Sequence, residues 1–313
     1  MSTPEFTKHT VVYKIVDDLP LNIDIYLPGA FPVPENGRPV VFFMHGGGFV
    51  FGSRETIDGV KIGEIIKRNW VLMSVDYRLV PEVNIDELWT DCEDAWKWLH
   101  QKASETVGPL DLDNVAVFGA SAGATLALLS GYKFSPKPKA IIDYSGSGNL
   151  ASPFFREPQM TFSEPISDSV GRELYSKRPL SGCSFTAENL LTHPRFRLYE
   201  YLRQKGIWVE SILGFDPKDD SKREDLASWT ALENISSIYP PTYILHGSDD
   251  STVPSSEAKE LSEAFKNAGV SYELLLAEGK DHLFYLTLMP GDPEYEALVE
   301  PSYRFLDRHF VNR

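Results

Sequence analysis

Val115-Ala116-Val117-Phe118 runs directly into Gly119-Ala120-Ser121-Ala122-Gly123, and helical periodicity follows over residues 122–132. This order indicates a strand, a sharp turn and a helix, with Ser121 at the turn. Such a turn strains the backbone of the serine. It also brings neighbouring parts of the chain so close together that a Cβ would not fit between them, and glycine has none. The start of a helix also supplies partial positive charge. The stretch therefore predicts an exposed serine nucleophile.

Strands and helices are predicted to alternate on both sides of this turn. Apolar runs rich in β-branched and aromatic residues predict strands at 11–15, 23–27, 40–44, 71–75, 115–118, 140–144, 242–245 and 272–276. Helical periodicity predicts helices at 91–100, 122–132, 255–268 and 295–310. Several strands are too uniformly apolar to have one solvated face, so both faces of the sheet are expected to be covered. The fold class is α/β, with a doubly wound, mostly parallel sheet.

The alternation weakens between residues 149 and 221, where Pro, Ser, Phe and Arg follow one another with little periodicity. We expect this segment to be a cap inserted over the sheet, with residues 1–20 as a candidate second part. A length of 313 residues is compatible with one α/β domain over 1–313.

Composition and net charge indicate which kinds of molecule the protein is expected to bind. The chain is 42% hydrophobic and 12% aromatic, which suits a large buried core. With 45 acidic and 30 basic residues the formal charge is −15, so binding to nucleic acid or to an anionic membrane is not expected. No secretory signal and no apolar run of about 20 residues is readable. Cys92 and Cys183 form no metal-binding or redox pattern, so free thiols and a cytoplasmic location are expected. The oligomeric state stays open.

The second motif is His45-Gly46-Gly47-Gly48-Phe49, which follows the predicted strand 40–44. Consecutive glycines let backbone N–H groups point into a cavity, as in an oxyanion hole. We predict the N–H groups of Gly47, Gly48 and Ala122 as the donors. A phosphate-binding loop is the alternative, but the glycine spacing and the Gly-Lys-Ser/Thr of such loops are absent. His45 is expected to fix the loop through a hydrogen bond and not to transfer protons.

A serine hydroxyl needs a histidine to accept its proton and a carboxylate to orient that histidine. In the chain order Ser, acid, His, the histidine that fits is His282, in the loop after the predicted strand 272–276. Two adjacent carboxylates, Asp249 and Asp250, follow the strand 242–245. Asp250 is favoured because it begins the turn toward the next helix, while Asp281 is disfavoured by its adjacency to His282.

These motifs together resemble the hormone-sensitive-lipase family of α/β-hydrolase esterases. The resemblance extends from His45 to His282 and includes Val75-Asp76-Tyr77-Arg78-Leu79-Val80-Pro81-Glu82, in which the family's Asp and Arg are structural. The run from His246 to Pro254 is similar to the family's acid turn and supports Asp250. Residue 120 is Ala, where the family usually has Asp or Glu. The resemblance implies an α/β-hydrolase fold and no metal or organic cofactor.

The implied reaction is acyl transfer from a small-molecule ester or lactone through a Ser121 acyl-enzyme. Aromatic and thioether side chains near the motifs and in the cap are candidates for substrate binding: Phe49, Phe51, Phe154, Phe155, Met160 and Phe162. Three alternatives remain open. They are a biosynthetic enzyme that hydrolyses, lactonises or cyclises a specialised metabolite, a non-catalytic receptor similar to the gibberellin receptor of the same fold, and an amidase or peptidase.

Overall fold

The computed structural model describes residues 5–159, 161–185 and 188–310. Its eight strands form one sheet in the order β1-β2-β4-β3-β5-β6-β7-β8. In chain order from β1 to β8 the strands are Phe6–Val16, Leu19–Pro28, Arg38–Met44, Val71–Val75, Leu110–Ala120, Ala140–Tyr144, Thr242–Gly247 and Tyr272–Ala277. All eight predicted strands are confirmed.

The sheet is parallel over β3 to β8 and antiparallel where β2 pairs with β1 and β4. Strands β3, β4 and β6 are buried along their whole length. Such uniform burial explains their uniformly apolar sequences, because helices cover both faces. The register pairs Met44 with Gly119 and Ala120 with Tyr144, so the carboxyl ends of the central strands lie at one edge.

Twelve α-helices connect and cover the strands in the described ranges. From α1 to α12 they are Gly59–Ile66, Ile85–Val107, Ala122–Lys133, Pro153–Arg156, Asp168–Glu173, Pro194–Gln204, Trp208–Leu213, Arg223–Ser228, Ala231–Asn234, Ser255–Ala268, Pro293–Leu298 and Glu300–His309. Short 3-10 helices lie at Arg54–Thr56, Leu190–Thr192, Asp220–Lys222 and Phe284–Thr287. The predicted helix at 255–268 matches α10 residue for residue. The prediction of one continuous helix over 295–310 is wrong, because the helix is interrupted at Val299, between α11 and α12.

Each face of the sheet has its own apolar core. On one face the buried residues of α2, α3 and α10 pack on the sheet together with residues of α6 and α7. On the other face α1, α11 and α12 supply the buried side chains. This two-sided covering is the doubly wound α/β arrangement that the sequence predicts.

Helices α4 to α9 lie between β6 and β7, and we call residues 145–241 the inserted segment. Helix α6 of this segment packs on α7, and α7 packs on α4 and α2. The suggestion that residues 1–20 belong to a cap is wrong for the described part, because residues 6–16 form β1 and pair with β2. Regular β-branched alternation in this stretch suits an edge strand.

Among the described residues, no helix is both long and apolar enough to cross a bilayer. Both cysteines carry free thiols, with Cys92 buried and Cys183 half-buried.

Candidate active site

Ser121 lies at the sharp turn between β5 and α3. Its φ of 55° is in the left-handed region, which is unusual for a residue with a side chain. The strained turn is held by its backbone, since Ser121 N–H donates to the Tyr144 carbonyl at 2.7 Å. A Cβ on Gly123 would overlap the carbonyl of Met44, and one on Gly119 would overlap the carbonyl of Gly123. The glycines are therefore required for close approach at the turn.

The structure brings the predicted acid and base together with this serine. Nε2 of His282 lies 3.0 Å from Oγ of Ser121, and Nδ1 of His282 lies 2.7 Å from Oδ2 of Asp250. Asp250 follows β7 and His282 follows β8, so neighbouring parallel strands deliver both side chains to the edge where β5 ends. The three groups form a continuous hydrogen-bonded series that can move a proton from a hydroxyl to an imidazole.

The carboxylate of Asp250 is held in a dense set of donors. Its Oδ1 accepts from the N–H groups of Thr252 and Val253 at 2.9 and 2.8 Å. Behind it, Nε2 of the buried His246 lies 3.4 Å from Oδ2. Burial alone would raise the pKa of Asp250, but the hydrogen bonds from His246 and His282 outweigh it and hold the pKa well below its usual range. Asp250 is therefore an ionised acceptor for the imidazole N–H.

The two competing carboxylates lie elsewhere. Asp249 is exposed, and its Oδ1 accepts from Ser248 Oγ at 2.8 Å. Asp281 is also exposed and accepts from the N–H of Ser251 and of His282. Asp281 thus ties the acid turn to the histidine loop through backbone groups, while Asp250 alone of the three bonds the imidazole of His282.

The glycine loop lies directly against the serine. A Cβ on Gly46 would be 3.2 Å from Cβ of Ser121. Gly47 and Gly48 have φ values of 114° and 57°, which favour glycine. Among the described residues, no protein acceptor bonds the N–H groups of Gly47, Gly48 or Ala122. These three predicted donors are thus free to bind a developing negative charge.

His45 is fully buried beneath this loop. Its Nδ1 bonds the Gly46 carbonyl at 2.7 Å, and its ring stacks on Tyr77 with centroids 4.1 Å apart. Burial lowers the pKa of His45 to about 4, against a smaller opposing effect of the Gly46 hydrogen bond. The imidazole is therefore neutral near pH 7, and its geometry is that of a group that fixes the loop.

The candidate substrate-binding residues differ in burial. Phe49 and Phe155 are buried against Trp208, at centroid distances of 6.2 and 5.4 Å. Phe51 is partly buried and packs on Tyr199. By contrast, Phe154 is 37% exposed and Phe162 is 72% exposed. The exposed ring of Phe162 does not support its predicted place in an apolar pocket. Met160 lies outside the described residues.

Three residues beside the glycine loop are not singled out by the sequence. Trp208 donates from Nε1 to the Gly48 carbonyl at 2.9 Å, and the ring of Tyr199 occupies the space beside Cα of Gly48. Arg203 in turn donates to the hydroxyl of Tyr199 at 2.9 Å. All three lie on α6 and α7, in the part of the chain where periodicity is weak. Their aromatic and basic character is the only sequence signal they carry.

The segment that resembles the family's Asp-Tyr-Arg run forms ion pairs away from the serine. Asp76 pairs with Arg54 at 2.6 Å, and Arg78 pairs with Asp91 at 2.7 Å. Both aspartates are buried, so each pair joins two parts of the chain that would otherwise bury a lone charge. This is the structural role that the resemblance implies for Asp76 and Arg78.

Known proteins resemble this chain in sequence over nearly its whole length. A non-reducing polyketide synthase of Preussia isomera, Preu6, is 29% identical over 95% of this chain and 14% of the synthase. The 5-methylorsellinic acid synthase of Aspergillus terreus is 26% identical over 97% of this chain and 13% of the synthase. The chain therefore spans about a seventh of the length of these relatives.

Family models and solved structures agree on the fold. The BD-FAE model matches residues 23–173, and the model of the prolyl oligopeptidase family matches residues 196–313. An α/β-hydrolase superfamily protein of Enterococcus faecalis has a TM-score of 0.71 at 17% identity, covering 96% of this chain and 99% of that one. A butyrate-bound esterase of Thermogutta terrifontis has a TM-score of 0.67 at 24% identity, covering 96% and 94%. The chain has the α/β-hydrolase fold and resembles the hormone-sensitive-lipase esterases built on it.

Proposed function

We propose that this protein is a serine hydrolase that cleaves a carboxylic ester or lactone of a small molecule. The observation that carries the proposal is the series from Ser121 Oγ through His282 to Asp250, with distances of 3.0 and 2.7 Å. The free N–H groups of the glycine loop beside Ser121 support it. A nucleophile, a base, an orienting acid and a place for an oxyanion are the parts that acyl transfer needs.

In the proposed reaction Ser121 Oγ attacks the ester carbonyl carbon while His282 Nε2 accepts the hydroxyl proton. The carbonyl oxygen becomes an oxyanion held by the N–H groups of Gly47, Gly48 and Ala122. Collapse of this intermediate breaks the bond to the alcohol, which leaves with the proton from His282. Water then attacks the acyl-enzyme with His282 again as base, and the acid is released from Ser121.

The test combines covalent labelling with turnover. Purified protein is treated with a fluorophosphonate probe and assayed on 4-nitrophenyl butyrate, in parallel with Ser121→Ala. Labelling and hydrolysis that both disappear in the variant support the proposal, with a loss of kcat on the order of 10⁶. Ser130→Ala is the control, since Ser130 is buried in α3 and its hydroxyl donates to the Ala127 carbonyl of the same helix. Absence of labelling in the parent protein contradicts the proposal.

A second candidate is a biosynthetic hydrolase that releases an aromatic polyketide acyl group from an ester or thioester. The observation that favours it is the sequence similarity to non-reducing polyketide synthases over nearly the whole chain. The same groups would perform the chemistry, because a thioester is cleaved through the same acyl-enzyme. Turnover of aromatic acyl N-acetylcysteamine thioesters, without turnover of 4-nitrophenyl butyrate, would favour this candidate over a general esterase.

A further inference from the structure

Arg203 is a buried cation whose hydrogen-bond acceptors among the described residues are all neutral. Its side chain lies on α6 with the residue 6% exposed. Nε and Nη2 donate to the amide oxygen of Gln159, Nη1 donates to the Tyr199 hydroxyl and Nη2 approaches the Thr252 carbonyl at 3.5 Å. Within the described ranges Arg203 forms no ion pair, so no contacting carboxylate neutralises its charge.

The position of Arg203 relates it to the candidate active site. Tyr199, one helical turn earlier, has its ring against Gly48 of the oxyanion loop. Thr252, on the other side, is two residues beyond Asp250 in the acid turn. The pair Tyr199 and Arg203 therefore spans from the oxyanion loop to the acid turn. Gly46 of the same loop lies against Ser121, so this face of α6 borders the loop beside the reacting serine.

Arg203 and Tyr199 also each have a hydrogen-bond donor without an acceptor among the described residues. An arginine has five N–H donors, and the contacts above leave one on Nη1 without an acceptor among the described residues. The Tyr199 hydroxyl accepts from Arg203 and still has its own proton to donate. Burial raises the pKa of Tyr199, although the Arg203 charge opposes the effect, so the hydroxyl remains a donor at neutral pH. Two donors and one positive charge are what a carboxylate or phenolate oxygen requires.

Another arginine of the same helix shows the contrasting arrangement. Arg195 is 4% exposed and pairs at 2.7 Å with Glu82, whose side chain is 6% exposed. Nε and Nη2 of Arg195 donate to the carbonyls of Val50 and Val80. The buried carboxylate nearest to Arg203 in sequence, Glu200, instead accepts from Ser163. Arg195 is thus a neutralised structural cation, whereas Arg203 is not.

We propose that Arg203 and Tyr199 bind an anionic oxygen of the substrate, a carboxylate or phenolate that is separate from the scissile ester. The assignment rests on the proposed function, because it places the reacting carbonyl at Ser121. It narrows the substrate class to esters, lactones or thioesters of acids that carry a second, negatively charged group.

The first experiment compares two esters of equal chain length, mono-4-nitrophenyl adipate and 4-nitrophenyl hexanoate. The parent protein is expected to have the larger kcat/KM for the anionic adipate ester. Arg203→Gln is expected to lower the ratio of the two kcat/KM values by about 10- to 100-fold, the size expected of a charged hydrogen bond. Arg203→Lys is expected to restore part of that ratio. Arg195→Gln is expected to leave the ratio within threefold of the parent, which corresponds to about 0.6 kcal/mol. A ratio unaffected by Arg203→Gln overturns the proposal.

The second experiment measures binding without turnover. Ser121→Ala and its double variant with Arg203→Gln are titrated calorimetrically with monomethyl adipate and with neutral methyl hexanoate. Selective binding of the anion that is lost in the double variant supports the proposal even if neither nitrophenyl ester is hydrolysed. Equal binding of the two probes, or of the two proteins, overturns it. Failure of labelling and hydrolysis alone would instead count against the serine-hydrolase function.

Discussion

Asp249 and Asp250 are neighbours in the chain, yet their carboxylates lie in opposite surroundings. Asp250 is 6% exposed and bonds the imidazole of His282, whereas Asp249 is exposed and bonds Ser248. The difference arises at the turn after β7, where the backbone N–H groups of Thr252 and Val253 draw Asp250 inward. Replacing each aspartate by asparagine in turn can therefore distinguish the effect of orienting His282 from the effect of removing a negative charge nearby.

Asp250→Asn is expected to lower kcat on 4-nitrophenyl butyrate by about 10⁴, because an amide does not hold the imidazole in the required tautomer. Asp249→Asn, the matched control, is expected to leave kcat within about twofold, as is usual for an exposed polar side chain. Steady-state kinetics of the two variants checks both values. Equal losses in the two variants would contradict the assignment of the acid to Asp250.

Gly48→Ala is expected to lower both kcat and thermal stability. Its φ of 57° strains any other residue, and the added Cβ would overlap the Tyr199 ring, so the loop that carries the predicted oxyanion donors must move. Loss of one such donor costs about 10²–10³ in kcat. Gly59→Ala is the control, since a Cβ there meets no atom within 4 Å and lies in α1. That variant is expected to unfold at the parent temperature or slightly above it, as measured by differential scanning fluorimetry.

Asp143→Asn is expected to stabilise the fold above pH 6. Burial raises the pKa of Asp143 from 3.8 to about 6, although the charge of His246 and the N–H of Gly146 oppose the effect. A raised folded pKa gives stability that is present below the unfolded value and is lost as pH rises through the folded value. The parent should therefore lose up to about 3 kcal/mol of unfolding free energy between pH 4 and 6 that the variant does not lose.

Urea unfolding of the parent and of Asp143→Asn, repeated at several pH values, measures this difference. The exposed Asp113 provides the control, because Asp113→Asn should leave the parent pH dependence unchanged. If the unfolding free energies of the parent and of Asp143→Asn differ by the same amount at every pH from 4 to 7, Asp143 is ionised in the folded protein throughout this range. That outcome would contradict the prediction.

Trp208→Phe is expected to reduce the free energy of unfolding by about 1–3 kcal/mol. The substitution removes the indole N–H that donates to the Gly48 carbonyl, and that oxygen loses its hydrogen-bond partner. Since Gly48 belongs to the predicted oxyanion loop, kcat should fall as well. Trp98→Phe in α2 is the comparison, with the same change in volume at a residue that is 9% exposed. A kcat that falls equally in both variants would argue for a general packing effect.

The strands and the site geometry could be predicted because each depends on a local pattern. Strands β3, β4 and β6 are short apolar runs, and Ser121, Asp250 and His282 each follow such a run at a strand end. Parallel strands bring their carboxyl ends to one edge, so three residues distant in sequence meet there. Glycines at 119 and 123 are required by packing that a local sequence motif already encodes.

The sequence predicts an insertion at 149–221, but not its helices or their contacts with the site, for the opposite reason. Tyr199, Arg203 and Trp208 lie on short helices whose buried faces contact the glycine loop and the acid turn. Those contacts join residues far apart in sequence. A buried arginine also adds nothing to the apolar periodicity from which buried positions are predicted. Phe162 shows the converse error, because an aromatic side chain in this segment is solvent-exposed. Helix α2 begins at Ile85, six residues before its predicted start, because Asn84 and Glu87 form a capping box at its N-terminus.

The placement of α4 to α9 between β6 and β7 has a consequence for how such a protein diversifies. Ser121, Asp250 and His282 follow β5, β7 and β8, and the hydrogen bonds between these strands fix the spacing of the three residues. The described residues of 145–241 form backbone hydrogen bonds with these strands only at the two ends of the segment. Insertions, deletions and substitutions in that stretch, away from the residues of α6 and α7 that contact the glycine loop and the acid turn, can therefore accumulate without disturbing the geometry of the three side chains. Relatives with the same reacting groups are free to diverge in the molecules they accept, and chimaeras exchanged at residues 145 and 241 are the natural way to follow that divergence.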